Sequence, residues 1–492
     1  MSRLFNLEYK WLVGIVYIMA LFMDLLDMTV INVAVPTLAG EFNASTTTIE
    51  WVVTGYLLSL ALFIPISGWL GDRFGTKRVF LSALSIFLAG SILCGLAWDV
   101  ESLIGFRVLQ GVGGGMLTPV GMTMLFRAFP PAERAAASAV LTVPITVAPA
   151  LGPILGGYLV DYQDWRWIFF INIPFGAVAL IASALVLREE KQPAAGRLDM
   201  PGFVLSGLGL VAVVYALAEA GLHGFDSGRV LLFGLGGLAT LALFTIVELR
   251  TAQPMLDVRL LRDKLFAASN FVMLAGTASI MGVFFVLPIF LQTQKGLDAF
   301  DVGLITFPMA IGVALMAGPA SKLYPRIGPR RMMVAGFGGN VLMTGLLSFV
   351  DYGTSDLLIA GNMLVRGMSF GLLVIPLQAA TFATISPEAT GRASSIFSVS
   401  RQVAASLGIA VLATVLTGRL GAHDAALADP ATRDAALTAF QDTFLIGAVL
   451  AVPGMIAALL IDDKKALAAM GREMELHAEG ATVAIPEEAA AG

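Results

Sequence analysis

Long apolar runs separated by short polar segments recur along almost the whole chain. Each run is long enough to cross about 30 Å of hydrocarbon as an α-helix, whereas strands of a membrane β-barrel need only about ten residues of alternating polarity. The pattern therefore predicts an all-α integral membrane protein with fourteen transmembrane helices. The predicted spans lie near residues 12–35, 51–70, 79–98, 102–126, 137–160, 167–187, 200–220, 230–249, 267–291, 302–321, 332–350, 356–384, 393–417 and 442–461.

The composition supports a membrane protein and argues against a soluble one. Apolar residues make up 57% of the 492 residues and charged residues 13%, compared with about 25% charged residues in an ordinary soluble domain. The formal net charge of −5 says little about partners, because most of the surface faces lipid. The lipid bilayer is the predicted environment, and without a basic patch no nucleic acid is predicted as a partner.

The distribution of cations predicts the orientation of the spans. An even number of spans places both termini on one side of the membrane. Of the 30 Lys and Arg residues, five lie in segments on the opposite side, three lie within spans, and the other 22 lie on the side of the termini. Because segments rich in Lys and Arg stay inside the cell, both termini are predicted to be cytoplasmic.

Few residues offer catalytic or metal-binding chemistry. Cys94 is the only cysteine and lies within a predicted span, while His223, His423 and His477 lie in loops or the tail without a metal-ligand spacing. The sequence has no nucleotide-binding loop, so ATP is not the expected energy source. The chain is therefore predicted to be no enzyme and to use no metal and no cofactor.

An internal repeat organises the chain, because three landmarks recur at similar separations. The pairs Gly75 and Gly328, Arg107 and Arg366, and Arg134 and Arg392 are 253, 259 and 258 residues apart. The repeat predicts two parallel, pseudo-symmetric six-helix bundles with two inserted helices, and such transporters bind substrate near the membrane midplane between the halves. The predicted parts are an N-terminal bundle (1–192), two inserted helices with linkers (193–264), a C-terminal bundle (265–463) and a disordered cytoplasmic tail (464–492).

Two carboxylates interrupt the first predicted span. Asp24 and Asp27 are three residues apart on one helical face, and a charge at bilayer depth costs at least about 2.5 kcal/mol, so such residues usually face a cavity and function there. A low dielectric favours the neutral carboxyl group, and a neighbouring acid adds to this effect. We predict that Asp27 and Asp24 carry protons at the seam between the two halves. A neutral Asp that fixes helix packing is the structural alternative.

Arg107 is predicted to act on this acidic site. Its depth in the fourth span differs from that of Asp27 by about 6 Å at a rise of 1.5 Å per residue, which an arginine side chain can cover. Arg107 would then help to release the proton. Alternatively, its side chain extends to the headgroups on the outer side.

Polar and flexible side chains near the acids are predicted to contact substrate. Methionine adapts to varied apolar shapes, although ordinary packing explains most of the 21 methionines equally well, and Asn32 could instead cap or bridge helices. One buried acidic site favours monovalent lipophilic cations or neutral amphiphiles over dications. The substrate-binding candidates are Asp27, Asn32, Gln110, Met23, Met116, Phe284 and Phe285.

Five motifs resemble those of the major facilitator superfamily. GWLGDRFGTKR (68–78) resembles its loop signature, the Arg, Gln and two Gly residues in 107–113 resemble its fourth-helix motif, and LGPILGG (151–157) resembles its antiporter motif. LDMTVINVAVP (26–36) and WRWIFFINIP (165–174) resemble marks of the fourteen-span drug:proton antiporter group of the EmrB/QacA type. The resemblance covers about residues 12–461. Two departures are Ala148, where a glycine is common, and Pro325, where a repeat of Asp72 would fall.

The resemblance assigns roles to two further groups of residues. It implies that Asp72 latches the two halves in the outward-open state, through charge pairs and a helix end whose dipole favours a carboxylate; a solvated loop acid is the alternative. The gating loop comprises Gly68, Asp72, Arg73, Gly75 and Arg78. Close helix packing and a hinge are expected at Gly152, Pro153, Gly156 and Gly157, because Gly removes side-chain bulk and Pro removes a backbone donor.

Together these observations predict a multi-pass protein of the bacterial inner or plasma membrane. The expected function is proton-coupled efflux of hydrophobic or amphiphilic drug-like compounds by alternating access. The main alternative is a carrier of the same fold dedicated to one physiological substrate, such as a lipid, a siderophore or a self-made antibiotic, and a membrane receptor or enzyme is a remote alternative. The expected partners are protons and hydrophobic or cationic small molecules, and the sequence does not specify a periplasmic adaptor.

Overall fold

The computed structural model describes residues 8–191, 198–423, 425 and 430–468. The first half of the described chain and the two helices after it are α1 (Tyr9–Glu41), α2 (Thr46–Phe74), α3 (Thr76–Gly95), α4 (Val100–Ala128), α5 (Arg134–Tyr162), α6 (Trp167–Phe170), α7 (Asn172–Val186), α8 (Met200–His223) and α9 (Gly228–Arg250). The second half contains α10 (Lys264–Thr293), α11 (Ala299–Thr306), α12 (Pro308–Ile327), α13 (Pro329–Leu347), α14 (Asp356–Thr381), α15 (Thr390–Ala422), α16 (Arg433–Leu450) and α17 (Val452–Ala458).

The prediction of an all-helical membrane protein is confirmed for the described residues, which contain no strand. Twelve helical segments there are long and apolar enough to cross a membrane. Two further helices, α4 and α13, have 29 and 19 residues and are less apolar. Repeated glycines and Arg107 lower the mean hydropathy of α4. In α13, Arg330 and Arg331 follow the first residue, Pro329, and lower the mean hydropathy in the same way.

Capping residues and glycines set where the helices begin and end. Asp99 caps α4, because its carboxylate accepts a hydrogen bond from the Ser102 amide at 2.7 Å. The α2–α3 and α12–α13 junctions each turn at one glycine, Gly75 with φ +102° and Gly328 with φ +79°. Residues with a side chain rarely adopt these angles, so the repeated glycine is a requirement of the same sharp turn in both halves.

The two halves pair their helices in the same way. In the first half, α4 packs against α2 and α3, and α1 packs against α5. In the second half, α14 packs against α12 and α13, and α10 packs against α15. Matching pairs of neighbours are the result expected of a duplicated unit. The halves meet where α5 packs against α12 and α14, and where α2 packs against α15.

The helices α8 and α9 form a hairpin outside the two halves. α8 packs against α2 of the first half and α15 of the second, whereas α9 packs mainly against α8. Large apolar side chains of α9, such as Leu232 and Leu235, are exposed and suit contact with lipid. Glu248 near the end of α9 is fully buried, and its carboxylate accepts a hydrogen bond from the Leu256 amide at 3.0 Å.

The last part of the polar segment between the thirteenth and fourteenth predicted spans belongs to α16, which begins at Arg433, nine residues before the predicted span at 442. The tail predicted to be disordered begins at 464, but residues 463–468 are helical and Ala466 is fully buried, so the prediction is wrong for its first residues. From 469 onward, the predicted tail lies outside the described residues.

Candidate functional site

The carboxylate of Asp27 lies at the centre of a buried polar network. Its Oδ2 accepts a hydrogen bond from Arg107 Nη1 at 2.6 Å, and its Oδ1 accepts from Gln110 Nε2 at 2.9 Å and from Asn172 Nδ2 at 2.8 Å. Asp27 is 3% exposed and Arg107 is fully buried. A buried carboxylate is stable as an anion only when it is paired with a cation and hydrogen-bonded. This geometry supplies both conditions.

Arg107 is held by several groups in addition to Asp27. Its Nη1 donates to Gln110 Oε1 at 2.8 Å, its Nε donates to the Val52 carbonyl at 3.2 Å, and its guanidinium lies 4.2 Å from the centre of the Tyr56 ring. The predicted approach of Arg107 to Asp27 is therefore confirmed. Extension of the side chain to the outer headgroups is wrong, because the side chain lies inside the helical bundle.

Asp24 has a different set of neighbours from Asp27. The Tyr56 hydroxyl donates to Asp24 Oδ1 at 2.6 Å. A Cβ atom on Gly114 of α4 would lie 2.9 Å from the same oxygen, so this glycine makes room for the carboxylate. Three residues turn a helix by about 300°, which leaves the two acids only about 60° apart on one face, and yet their hydrogen-bond partners differ. Tyr56 nevertheless joins them, because it contacts both Asp24 and Arg107.

The position of Asp27 differs from the predicted one at the seam between the halves. Its described hydrogen-bond partners belong to α4 and α7, so it lies within the first half. Asp24 lies near enough to the second half for the charge of Arg401 on α15 to act on it. Asp24 is therefore the acid for which an interaction with the second half is described.

The other substrate-binding candidates occupy varied environments. Met23 and Met116 are buried in the apolar core, Phe284 is half-buried, and Phe285 is exposed. Gln110 is engaged by Asp27 and Arg107, so it offers substrate no free amide in this conformation. The side chain of Asn32 lies outside the described part of the structure.

The gating loop lies on the side of the bundle where α2 ends and α3 begins, which we call the basic side. Asp72 accepts a hydrogen bond from Arg127 Nη2 at 2.7 Å, and Arg127 Nε donates to the Pro387 carbonyl of the second half at 3.1 Å. A Cβ atom on Gly391 would lie 3.1 Å from both Asp72 oxygens, which places the carboxylate against the first turn of α15. Arg127 thus connects Asp72 to the second half.

The two arginines of the gating loop have surroundings different from those of Asp72. Arg73 is exposed, and Arg78 pairs with Glu189 at 3.4 Å. A Cβ atom on Gly75 would lie within 2.4 Å of two atoms of the Glu189 carboxyl group, so the loop is closely packed there. The sequence did not single out Arg127, because it lies at the end of α4, 55 residues from Asp72.

Further contacts join the halves on the basic side. The Gly68 amide donates to Ser395 Oγ at 3.1 Å, and a Cβ atom on Gly68 would lie 2.5 Å from the Gly391 carbonyl oxygen. The rings of Phe126 and Phe382 stack with their centres 4.4 Å apart. The two halves are therefore closed against each other at this side.

The motif LGPILGG (151–157) lies on α5, and its glycines differ in how closely they pack against other helices. A Cβ atom on Gly152 would lie 2.3 Å from Thr29 Oγ1, beside Asp27 on α1, whereas a Cβ atom on Gly157 would meet nothing within 4 Å. The prediction of close helix packing is thus confirmed at Gly152 and wrong at Gly157. Gly156 is buried, and the side chain of Pro153 is not described.

Asn172 and Tyr56 are functional candidates that the sequence did not single out. Asn172 donates to Asp27 and also to Ser91 Oγ at 3.0 Å, and Ser91 donates to the Phe169 carbonyl at 2.9 Å. Asn172 stands inside the motif at 165–174, which marked the position without assigning a role. Nothing in the sequence pattern indicated that Tyr56 would touch both acidic networks.

These features define a helical membrane transport protein, with two matched halves and a charge pair buried between spans. The Major Facilitator Superfamily profile matches residues 17–409. The chain belongs to the major facilitator superfamily, whose members are transporters rather than enzymes, and it is a multi-pass protein of the cell membrane.

Named relatives include drug-resistance proteins of bacteria. The chain is 34% identical to the multidrug resistance protein B homolog of Mycobacterium tuberculosis (strain ATCC 25618 / H37Rv), over 82% of this chain and 75% of the relative. It is 31% identical to the putative multidrug resistance protein MdtD of Salmonella heidelberg, over 92% and 95% of the two chains. The crystal structure of the human organic anion transporter MFSD10 matches 90% of this chain and 99% of its own, with a TM-score of 0.61 and 15% identity, and shows the shared fold.

Proposed function

We propose that this chain exports hydrophobic or amphiphilic drug-like compounds in exchange for protons, by alternating access. The observation that carries this proposal is the pair formed by Asp27 and Arg107, which is buried at 2.6 Å inside a transporter fold. Relatives named for multidrug resistance support the drug-like substrate class. A proton that enters down a membrane potential of 100 mV supplies about 2.3 kcal/mol, in addition to any pH gradient.

The proposal includes fourteen spans with both termini in the cytoplasm. The twelve apolar segments together with α4 and α13 give this number, and the excess of Lys and Arg on the side of the termini favours the orientation. The basic side is then cytoplasmic. We also propose the division into an N-terminal bundle (1–192), inserted helices (193–264), a C-terminal bundle (265–463) and a tail (464–492).

In the proposed cycle, Asp27 is the group that takes up and releases the proton. As an anion it is held by Arg107, and protonation would remove the charge that Arg107 pairs with. Arg107 stacks on Tyr56, and Tyr56 donates to Asp24, on which the charge of Arg401 of the second half acts. This chain of contacts provides a physical route from the proton site to the seam. A cationic or neutral amphiphile would bind at the seam near Asp24.

The basic-side contacts are proposed to stabilise the outward-open state. Asp72 and Arg127 reach the second half at Gly391 and Pro387. These contacts have to break before substrate can enter from the cytoplasm. The polar contacts among them, from Arg127 to the Pro387 carbonyl and from the Gly68 amide to Ser395, are hydrogen bonds that can break and form again, which suits a switch between two states.

Efflux of several chemically unrelated dyes from proteoliposomes tests this function. With the protein oriented to export, an imposed proton gradient should drive uphill transport of cationic and neutral dyes, and a protonophore should abolish it. Uphill transport that persists with the protonophore present would contradict proton coupling. Transport of one compound with rejection of the remaining dyes would favour the dedicated carrier.

A further inference from the structure

The second half contains a buried arginine that has no acidic partner. Arg366 lies on α14 at the repeat position of Arg107, and it is 1% exposed. Its Nε donates to Asn340 Oδ1 at 3.1 Å. Among the described residues, no carboxylate forms an ion pair with Arg366 or lies near enough for its charge to act on it. In the first half the equivalent arginine is neutralised by Asp27.

The groups around Arg366 form one polar cluster in the apolar interior. Asn340 Nδ2 donates to Ser279 Oγ at 3.3 Å, and Ser279 Oγ donates to the Gly447 carbonyl at 3.1 Å. Thr344 lies one turn after Asn340 on α13, and a Cβ atom on Gly447 would lie 3.6 Å from its methyl group. We call Ser279, Asn340, Thr344 and Arg366 the α14 cluster.

Two donors of the α14 cluster have no partner among the described residues. They are Arg366 Nη2 and the Thr344 hydroxyl, and both are buried. A guanidinium keeps its positive charge in nearly every environment, and a buried charge is costly unless it is paired. A buried cation with hydroxyl and amide groups beside it is the donor set that binds an anion.

We propose that the α14 cluster binds a small monovalent anion, either a halide or a carboxylate. The anion takes the place in the second half that the Asp27 carboxylate holds in the first. Arg366 Nη2 and the Thr344 hydroxyl donate to it. The protein thus carries a fixed counter-charge in one half and an exchangeable counter-ion in the other.

Thermal unfolding of the purified native chain in detergent tests this site at constant ionic strength, with methanesulfonate, which is neither a halide nor a carboxylate, replaced stepwise by chloride, bromide or formate. A ligand that binds only the folded state raises the Tm in a saturable way, by about 2 °C or less at ten times its Kd for a chain of this size. Saturation by chloride and bromide assigns a halide, and saturation by formate alone assigns a carboxylate. A Tm independent of all three anions overturns the proposal.

Variants test whether the dependence of the Tm on the anion arises at the α14 cluster. Thr344→Val should weaken the apparent anion affinity several-fold, and Arg366→Gln should abolish the dependence, whereas Arg401→Gln, which changes an arginine outside the cluster, should leave it unchanged. If Arg366→Gln does not fold, crystals of the native chain grown in bromide provide a second measurement. An anomalous peak beside the Arg366 guanidinium supports the site, and a featureless map there overturns it.

Discussion

At the scale of single residues, the first half and the second half solve the same problem differently. Each places an arginine at one repeat position within the membrane, but only Arg107 has a carboxylate beside it. The carboxylate of Asp27 is bound on both oxygens, by Arg107 on one and by Gln110 and Asn172 on the other. Its protonation therefore changes several hydrogen bonds at once, which is what a coupling group requires.

Replacing Arg107 should destabilise the first half. Arg107→Gln leaves the Asp27 carboxylate buried without a cation, and breaking a buried pair in this way costs about 3–5 kcal/mol. The Tm of the purified variant should fall clearly, and adding Asp27→Asn should restore part of the loss, because no unpaired charge then remains. Arg73→Gln, which changes an exposed arginine, is the matched control. If Arg107→Gln and Arg73→Gln had equal Tm values, this result would contradict a stabilising charge pair between Arg107 and Asp27.

Asn172 should contribute to stability through its hydrogen bond to the Asp27 carboxylate. Asn172→Leu removes one hydrogen bond to the carboxylate, a change worth about 1–3 kcal/mol for a charged acceptor. Because the two residues are in direct contact, the effects of Asn172→Leu and Asp27→Asn on stability should not be additive. A double-mutant cycle measured by chemical denaturation checks this expectation, and an interaction energy near zero would place Asn172 outside the network.

At the scale of helices, most of the arrangement could be predicted from the sequence. Each predicted span corresponds to a described helix or a broken helix pair, because length and apolar character decide where a helix can cross lipid. The start of α16 was missed, since Asp434 and Thr438 make its first turns polar. Partners such as Arg127 and Asn172 could not be found, because they depend on how distant helices pack.

Packing of α5 on α1 provides a test at this scale. Gly152→Ala places a methyl group 2.3 Å from Thr29 Oγ1, whereas Gly157→Ala adds one where nothing lies within 4 Å. Forced overpacking typically costs about 1–3 kcal/mol, so Gly152→Ala should lower both the Tm and the transport rate. Gly157→Ala should leave the transport rate unchanged and should not lower the Tm, because alanine is favoured over glycine by about 0.5–1 kcal/mol inside a helix. Similar losses in both variants would contradict the described packing of α5.

At the scale of the whole molecule, two halves with the same helix pairing meet along α2, α5, α12 and α15, and close on the basic side. Asp72 holds Arg127 in a charge pair within the first half, and Arg127 in turn donates to the Pro387 carbonyl of the second half. Together with the hydrogen bond from the Gly68 amide to Ser395, this contact holds the closure. Asp27, the proposed proton site, lies inside one half, so coupling would require that its protonation state be communicated to this boundary. Tyr56 and Asp24 are the residues positioned to do so.

Weakening the closure should expose the basic side. The single native cysteine is buried, so Ser395→Cys in a Cys94→Ser background reports access to the contact between the halves. Asp72→Asn should raise the rate of labelling by a water-soluble maleimide several-fold in vesicles that present the basic side, because the charge pair with Arg127 is lost. Arg73→Gln is the control. An unchanged labelling rate would show that Asp72 does not hold the halves together.

The central claim is that the Asp27 carboxylate exchanges the coupling proton. Transport in proteoliposomes should be compared between the native chain and Asp27→Asn in two modes, namely uphill dye transport driven by a pH gradient and dye exchange at equilibrium without a gradient. We expect Asp27→Asn to lose uphill transport by at least about tenfold while it retains exchange, because Asn cannot release a proton. Uphill transport at the native rate in Asp27→Asn would contradict the claim.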